Sequence, residues 1–361
     1  MNLKNLFLKG SILALMACLF ISCSDDDTTV LVDWNPYEGA YILNAGKSSA
    51  NNSALSFFNK GTKVVSVDVF SAKNEEYLGS LGQDMLISGD KMYIAVYNSG
   101  IIYVTDLHTK IIKKIVSEKS GQKQGPRSFA EYGDYIYVTY YDGYLARINK
   151  NTLELDSKQV AVGSNPENVK VAKGKAYVAC SGGLNRPNYD NKVSVVDLAS
   201  FEKIDDITVA LNPTTVEVDK QESIYVISMG NYGNVPNTLQ RINTTTDKVD
   251  MEIGNATFMR MNPAGNKLYT IYSQWGDPNV KYNVFNTETA EMEDGYFVDS
   301  SVEFAAAPVA INFDPNTNDI YIGTSNYAEI NEMYIISSTT GKLIHKFSAG
   351  GISPIGAYFV K

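Results

Sequence analysis

The chain has 361 residues, with 31 basic against 40 acidic side chains, a net charge of −9 and a hydrophobic content of 44%. An acidic chain with no basic cluster argues against nucleic-acid binding. Two histidines and three cysteines cannot build a multi-His metal centre or a disulfide-dense scaffold.

Residues 1–22 read as a lipoprotein signal peptide. Lys4 and Lys9 form a basic start, and an apolar run broken by Ser11 continues to Ile21. The run is too short for a spanning helix. Cys23 after Ser22 resembles a lipobox cleavage site, although Phe20 and Ile21 replace the usual Leu and small residue. Leu15-Met16-Ala17-Cys18 is a rival site that would leave Leu19-Phe20-Ile21 exposed. Residues 23–38 read as a lipidated Cys and an acidic tether. Ser24-Asp25-Asp26-Asp27 suits a solvated linker, and it also resembles the surface-export signal of lipoproteins in Gram-negative gut bacteria. The expected location is therefore the cell surface, lipid-anchored in the outer membrane; several acyl chains on one Cys anchor stably where a single chain does not.

From residue 39 to 361 the pattern is short β-branched and aromatic runs between Gly, Asn, Asp and Pro. A tyrosine sits before or within one run of each unit: Tyr41, Tyr93, Tyr137, Tyr177, Tyr225, Tyr269 and Tyr321, at steps of about 40–50 residues. A second run follows each and ends at Asn59, Asp106, Asn149, Asp197, Asn243, Asn286 or Ser337. These polar residues initiate turns by bonding their own backbone. A weaker run comes next, then a Gly- or Pro-bearing turn and a further apolar run. Four strands per unit, seven times, predict an all-β, seven-bladed β-propeller with four-stranded blades. Pro126, Pro166, Pro213 and Pro308 each start an innermost strand. Pro354 starts another, in "PIGAYFVK", with no second strand after it, whereas "GAYILN" at 39–44 lacks an inner strand before it. The C-terminal run is thus expected to complete blade one and close the ring.

Numbering strands outward from the axis, the second-to-third and fourth-to-first connections share one face. The second-to-third loops are tight in blades two and three ("YNSG", "YYDG") and long elsewhere, so a pocket with a high wall over blades four to one is expected. Exposed tyrosine and tryptophan give stiff contact area with a polar handle. The candidate ligand-binding residues are Tyr97, Arg127, Tyr140, Tyr141, Asn185, Arg186, Tyr189, Tyr232, Trp275 and Tyr327. Aromatics with Asn amides suit a bulky organic ligand. No catalytic residue, cofactor site or metal site is assigned. His108 and His345 lie off this face, "DPNTND" at 314–319 reads as a turn, and Cys180 reads as a buried apolar residue.

The repeat "NPENVKVAKGKAYVACSGG…NKVSVVDLASFEKIDDITV" resembles the YncE-like propeller family, whose units read P-x-x-V-x-V…x-Y-V…V-x-V-x-D. With the acidic lipoprotein start it resembles the BtuG-type surface propellers of gut bacteria. That resemblance implies a non-enzymatic nutrient-uptake protein that captures a corrinoid such as cobalamin and passes it to a TonB-dependent outer-membrane transporter. Siderophore or glycan capture, and adhesion or surface-layer structure with a protein partner, are the other readings.

Overall fold

The computed structural model describes residues 34–274 and 279–361; the leader, Cys23, the acidic tether to residue 33 and Trp275 lie outside the described residues. The described chain forms seven four-stranded antiparallel sheets. Their inner strands are Gly82–Ser88, Pro126–Tyr132, Pro166–Ala172, Pro213–Val218, Phe258–Met261, Ala307–Phe313 and Pro354–Tyr358. Each packs against the next, and the last returns to the first. The fold is a seven-bladed β-propeller.

The tyrosine register is a packing register. Tyr41, Tyr93, Tyr137, Tyr177, Tyr225, Tyr269 and Tyr321 are all buried in second strands. A blade cannot cover its own faces, so each ring reaches into a neighbour. Tyr137 lies 5.9 Å from Phe201, Tyr225 6.1 Å from Phe285, and Tyr269 4.9 Å from Phe313, each pair crossing to the next blade. The phenol still needs a polar partner inside the core. Tyr177 donates to Asp247 Oδ1 at 2.6 Å in blade five, and Tyr41 donates to the Leu107 carbonyl in blade two. Trp34 is buried and donates from Nε1 to the Tyr41 hydroxyl at 3.0 Å, so ordered packing begins ahead of the first strand.

The residues that end the third strands do what their chemistry predicts. Asn59, Asn149, Asn243 and Asn286 each accept two following backbone N–H groups on Oδ1. Asp106 accepts from His108 and Lys110, and Ser337 Oγ accepts from Thr340. "DPNTND" is a turn of the same sort: Asp314 accepts from the Asn316 N–H and pairs with Lys60 at 2.8 Å.

The ring closes as the proline register implies. Gly39–Asn44 pairs with Ala54–Asn59 on one side and with Pro354–Tyr358 on the other, with Tyr41 opposite Tyr358 and Leu43 opposite Gly356. The Tyr358 hydroxyl then reaches blade two, 3.2 Å from Asp84 Oδ1. Asp84 also accepts from Ser128 Oγ and the Phe129 N–H, which only partly offset the burial that raises its pKa. Two elements were not expected from the sequence. A short helix, Val69–Asn74, follows blade one, and a hairpin of Glu118–Lys119 with Gln122–Lys123 stands between blades two and three.

Candidate functional site

The loop face is organised by a repeated irregularity. The inner-strand ladder shifts register near its start in six blades, skipping Gln83, Arg127 with Ser128, Glu167, Thr214 and Ile355 directly after the first pair and Val309 after the second. A bulge re-aims the side chain it leaves unpaired. Three of these side chains meet. Arg127 donates from Nη1 to Gln83 and from Nη2 to Glu167, bridging the inner strands of blades two, three and four. Tyr97 and Tyr141, from the two tight loops, both lie against the guanidinium, with centroids 5.1 and 4.7 Å from Cζ. The two rings meet edge to face at 5.4 Å. Glu167 also accepts from Ser181 Oγ at 2.9 Å. Burial first, then the Glu167 charge, push the Tyr141 hydroxyl up to about 12, so it stays a donor at neutral pH.

Tyr97, Arg127 and Tyr141, three of the candidate ligand-binding residues, thus come together, and they bind one another. Arg127 is not a free cation for a ligand; it is paired, stacked and only 21% exposed. Tyr140 does not belong to the face. Adjacent strand residues point to opposite sides of a sheet, and Tyr140 turns inward to a 1% exposed position in the core cluster with Phe129 and Ala146. The hairpin at 118–123 also raises the side expected to be low, with Lys119 Nζ 3.2 Å from the Tyr144 ring centroid.

Blades four and five contribute a second aromatic pair. Tyr189 and Tyr232 meet edge to face at 6.0 Å. Asn185 and Arg186 stand exposed on the rim of blade four, where the Asn185 N–H donates to Gly182 and its carbonyl accepts from Asn188. Arg186 has no ion-pair partner among the described residues.

A cavity of about 1550 Å³ lies over blades five to seven. Tyr232 and Asn237 wall it from blade five, and Ser325, Asn326 and Tyr327 from blade seven. Its remaining wall was not anticipated. Residues 293–306 cross from the outer strand of blade six to the inner strand of blade seven and supply Tyr296, Val298, Asp299, Val302 and Phe304. Phe304 packs on Tyr334 at 4.7 Å, and the Asp299 N–H donates to the Gly341 carbonyl in blade seven. The apolar spacing in "YFVDSSVEF" was the available signal; it resembles neither a strand repeat nor a polar loop.

Two features fix the rim. Tyr232 and Tyr327 hold φ values of 55° and 60° and remain more than half exposed. A bulky residue in the left-handed region is an outlier that the surrounding structure must impose. The loop asparagines impose it. Asn231 Oδ1 accepts from the N–H groups of Gly233 and Val235, and Asn326 Oδ1 from those of Ala328 and Glu329. The Asn-rich loops thus use much of their amide chemistry on their own backbone, not on a ligand as the sequence suggested. Among the described residues no three His, Cys, Asp or Glu side chains converge as a metal site.

Residues 38–359 match the family model described as Domain of unknown function (DUF5074). No curated protein matches. Among solved structures, the chain is similar to a quinonprotein alcohol dehydrogenase-like protein from Bacteroides thetaiotaomicron, at 13% identity and a TM-score of 0.65, covering 91% of this chain and 79% of that one. It is also similar to the hydrazine synthase of Kuenenia stuttgartiensis, at 18% identity and a TM-score of 0.57, covering 70% and 76%. A dihydro-heme d1 dehydrogenase matches at 11% identity and a TM-score of 0.60, over 90% and 76%. At these identities the likeness is one of fold.

Proposed function

The chain belongs to the DUF5074 family, and on that propeller we propose that it captures a bulky small-molecule nutrient, a corrinoid first, without making or breaking bonds. The observation that carries this reading is the 1550 Å³ cavity over blades five to seven. Ordinary small-ligand pockets span roughly 300–1,000 Å³, so this one suits a larger guest. Its aromatic and apolar wall offers stacking area for a flat, amide-bearing ring system. The inner-strand charged pair Arg127 with Glu167 is committed to itself and to the two tyrosines beside it, which favours binding over catalysis.

Anchoring through Cys23 at the outer-membrane surface and delivery to a TonB-dependent transporter complete the proposal, resting on the sequence of the leader and tether. Titration of the purified protein with cyanocobalamin tests the binding step. Heat and an absorbance change are expected at micromolar protein, both abolished in Ala305→Trp, which fills the cavity from an exposed position on its wall. Absence of heat with wild type sinks the corrinoid reading. Membrane release of the Cys23→Ala protein tests the anchor.

A further inference from the structure

The cavity wall carries one buried polar atom without a partner. Asn237 is 4% exposed and lines the cavity, yet its Oδ1 accepts no hydrogen bond among the described residues. Its orientation is not arbitrary. Nδ2 donates to the Ala256 carbonyl at 3.0 Å, and turning the amide over would set two oxygens against each other. The equivalent side chains in other blades are satisfied by the connection to the next blade: Ser53 Oγ accepts from the Gly82 N–H at 2.8 Å, and Asn331 Oδ1 from the Ser353 N–H at 3.2 Å. In blade five the connection presents a carbonyl instead, so the acceptor is left without a donor just behind the cavity wall. A buried acceptor without a donor is costly, and a guest with an N–H or O–H group removes that cost.

Charge narrows the guest further. Asp299 is the one charged side chain among the described lining residues, and no Lys or Arg is among them. Hydrogen bonds from the Ser301 hydroxyl and N–H, at 2.5 and 3.0 Å, hold Asp299 below the usual carboxylate range and keep it ionised. Arg127, on the inner strand of blade three, is bound to Glu167. An anion entering this space would lose hydration and find no cation to replace it.

We infer that the cavity selects a neutral or cationic ligand and takes a hydrogen bond from one of its N–H or O–H groups onto Asn237 Oδ1. This rests on the cavity being the ligand site, and it separates uncharged amide-rich guests from polyanionic iron chelates. The test uses two pairs of probes on the wild-type protein by calorimetry. The first is cyanocobalamin against the derivative in which its primary amides are hydrolysed to carboxylates. The second is a neutral ferric tris-hydroxamate against a triply negative ferric tris-catecholate. In any pair that binds, the neutral member should bind at least about tenfold more tightly, by more at low salt than at high salt. Binding of the hydroxamate but of no corrinoid upholds the inference and removes the corrinoid from the function proposed above. An anionic member that binds as tightly as its neutral counterpart overturns the inference, as does failure of both pairs. Asn237→Ala, compared with wild type at matched melting temperature, should weaken the neutral ligand about threefold to tenfold. Unchanged affinity removes the hydrogen bond from the inference, and the probe pairs still decide the charge selection.

Discussion

Replacing Tyr232 or Tyr327 by glycine separates what these side chains do for the fold from what they do for a ligand. Both sit in the left-handed region, where a side chain costs about 1–2 kcal/mol, and glycine relieves that cost while adding roughly 0.5–1 kcal/mol of chain entropy. Tyr232→Gly and Tyr327→Gly should leave denaturant stability within about 1 kcal/mol of wild type and weaken ligand binding at least tenfold; a large loss of stability would show that the rings are structural. Arg127 gives the opposite expectation. Arg127→Ala strands Glu167, which is 11% exposed, and should cost about 2 kcal/mol, below the figure for fully buried pairs because both partners touch solvent. Arg127→Met combined with Glu167→Gln should recover most of that loss, and a double-mutant cycle in urea reads it directly. Residue by residue, the legible part of the site was the aromatic positions. What the sequence hid was which polar group answers which. Tyr140 and Tyr141 are adjacent and chemically alike, and strand parity sends one inward. Glu167 looks like an ordinary surface acid until the bulge brings it to Arg127.

At the scale of elements, the crossover at 293–306 is where the cavity and the scaffold meet. Gly341 holds φ of 70°, and a Cβ there would lie 2.9 Å from the Asp299 nitrogen. Gly341→Ala should therefore cost about 1–2 kcal/mol in backbone strain and displace the Asp299 end of the cavity wall. Faster amide exchange across 297–302 than across the outer strands of other blades is the measurement; protection equal to wild type would show that the crossover is held elsewhere. The strands themselves were legible because their signals are local. Each third strand ends at a side chain that bonds its own turn, as at Asn149 with the N–H groups of Asn151 and Thr152, and each proline falls where an N–H is not needed by the ladder. The crossover was not legible, because Val298, Val302 and Phe304 take their partners from two blades, and no spacing within one unit records that. The hairpin at 118–123 escaped for the same reason: it belongs to no repeat.

For the whole molecule, closure is the property that the two ends share. Removing residues 352–361 deletes the inner strand of blade one, its pairing with Tyr41 and the contact from Tyr358 to Asp84. The truncated protein should lose its cooperative melting transition, and unchanged melting would refute the seam as the lock of the ring. The architecture as a whole was readable because seven copies of a weak pattern are a strong one, and because what each terminus lacks, the other has. The same seam sets the order of events in folding. Pairing between Tyr41 and Tyr358 joins opposite ends of the sequence, so however the chain emerges, blade one is finished last. Until then Gly39–Asn44 presents an open, wholly buried-type strand edge, the kind of edge that recruits other chains. A late, long-range step of this sort makes folding slow relative to the assembly of the individual hairpins. It also gives the chain a built-in delay: a molecule can hold most of its sheets and yet remain unlocked until Pro354–Tyr358 settles beside Gly39–Asn44.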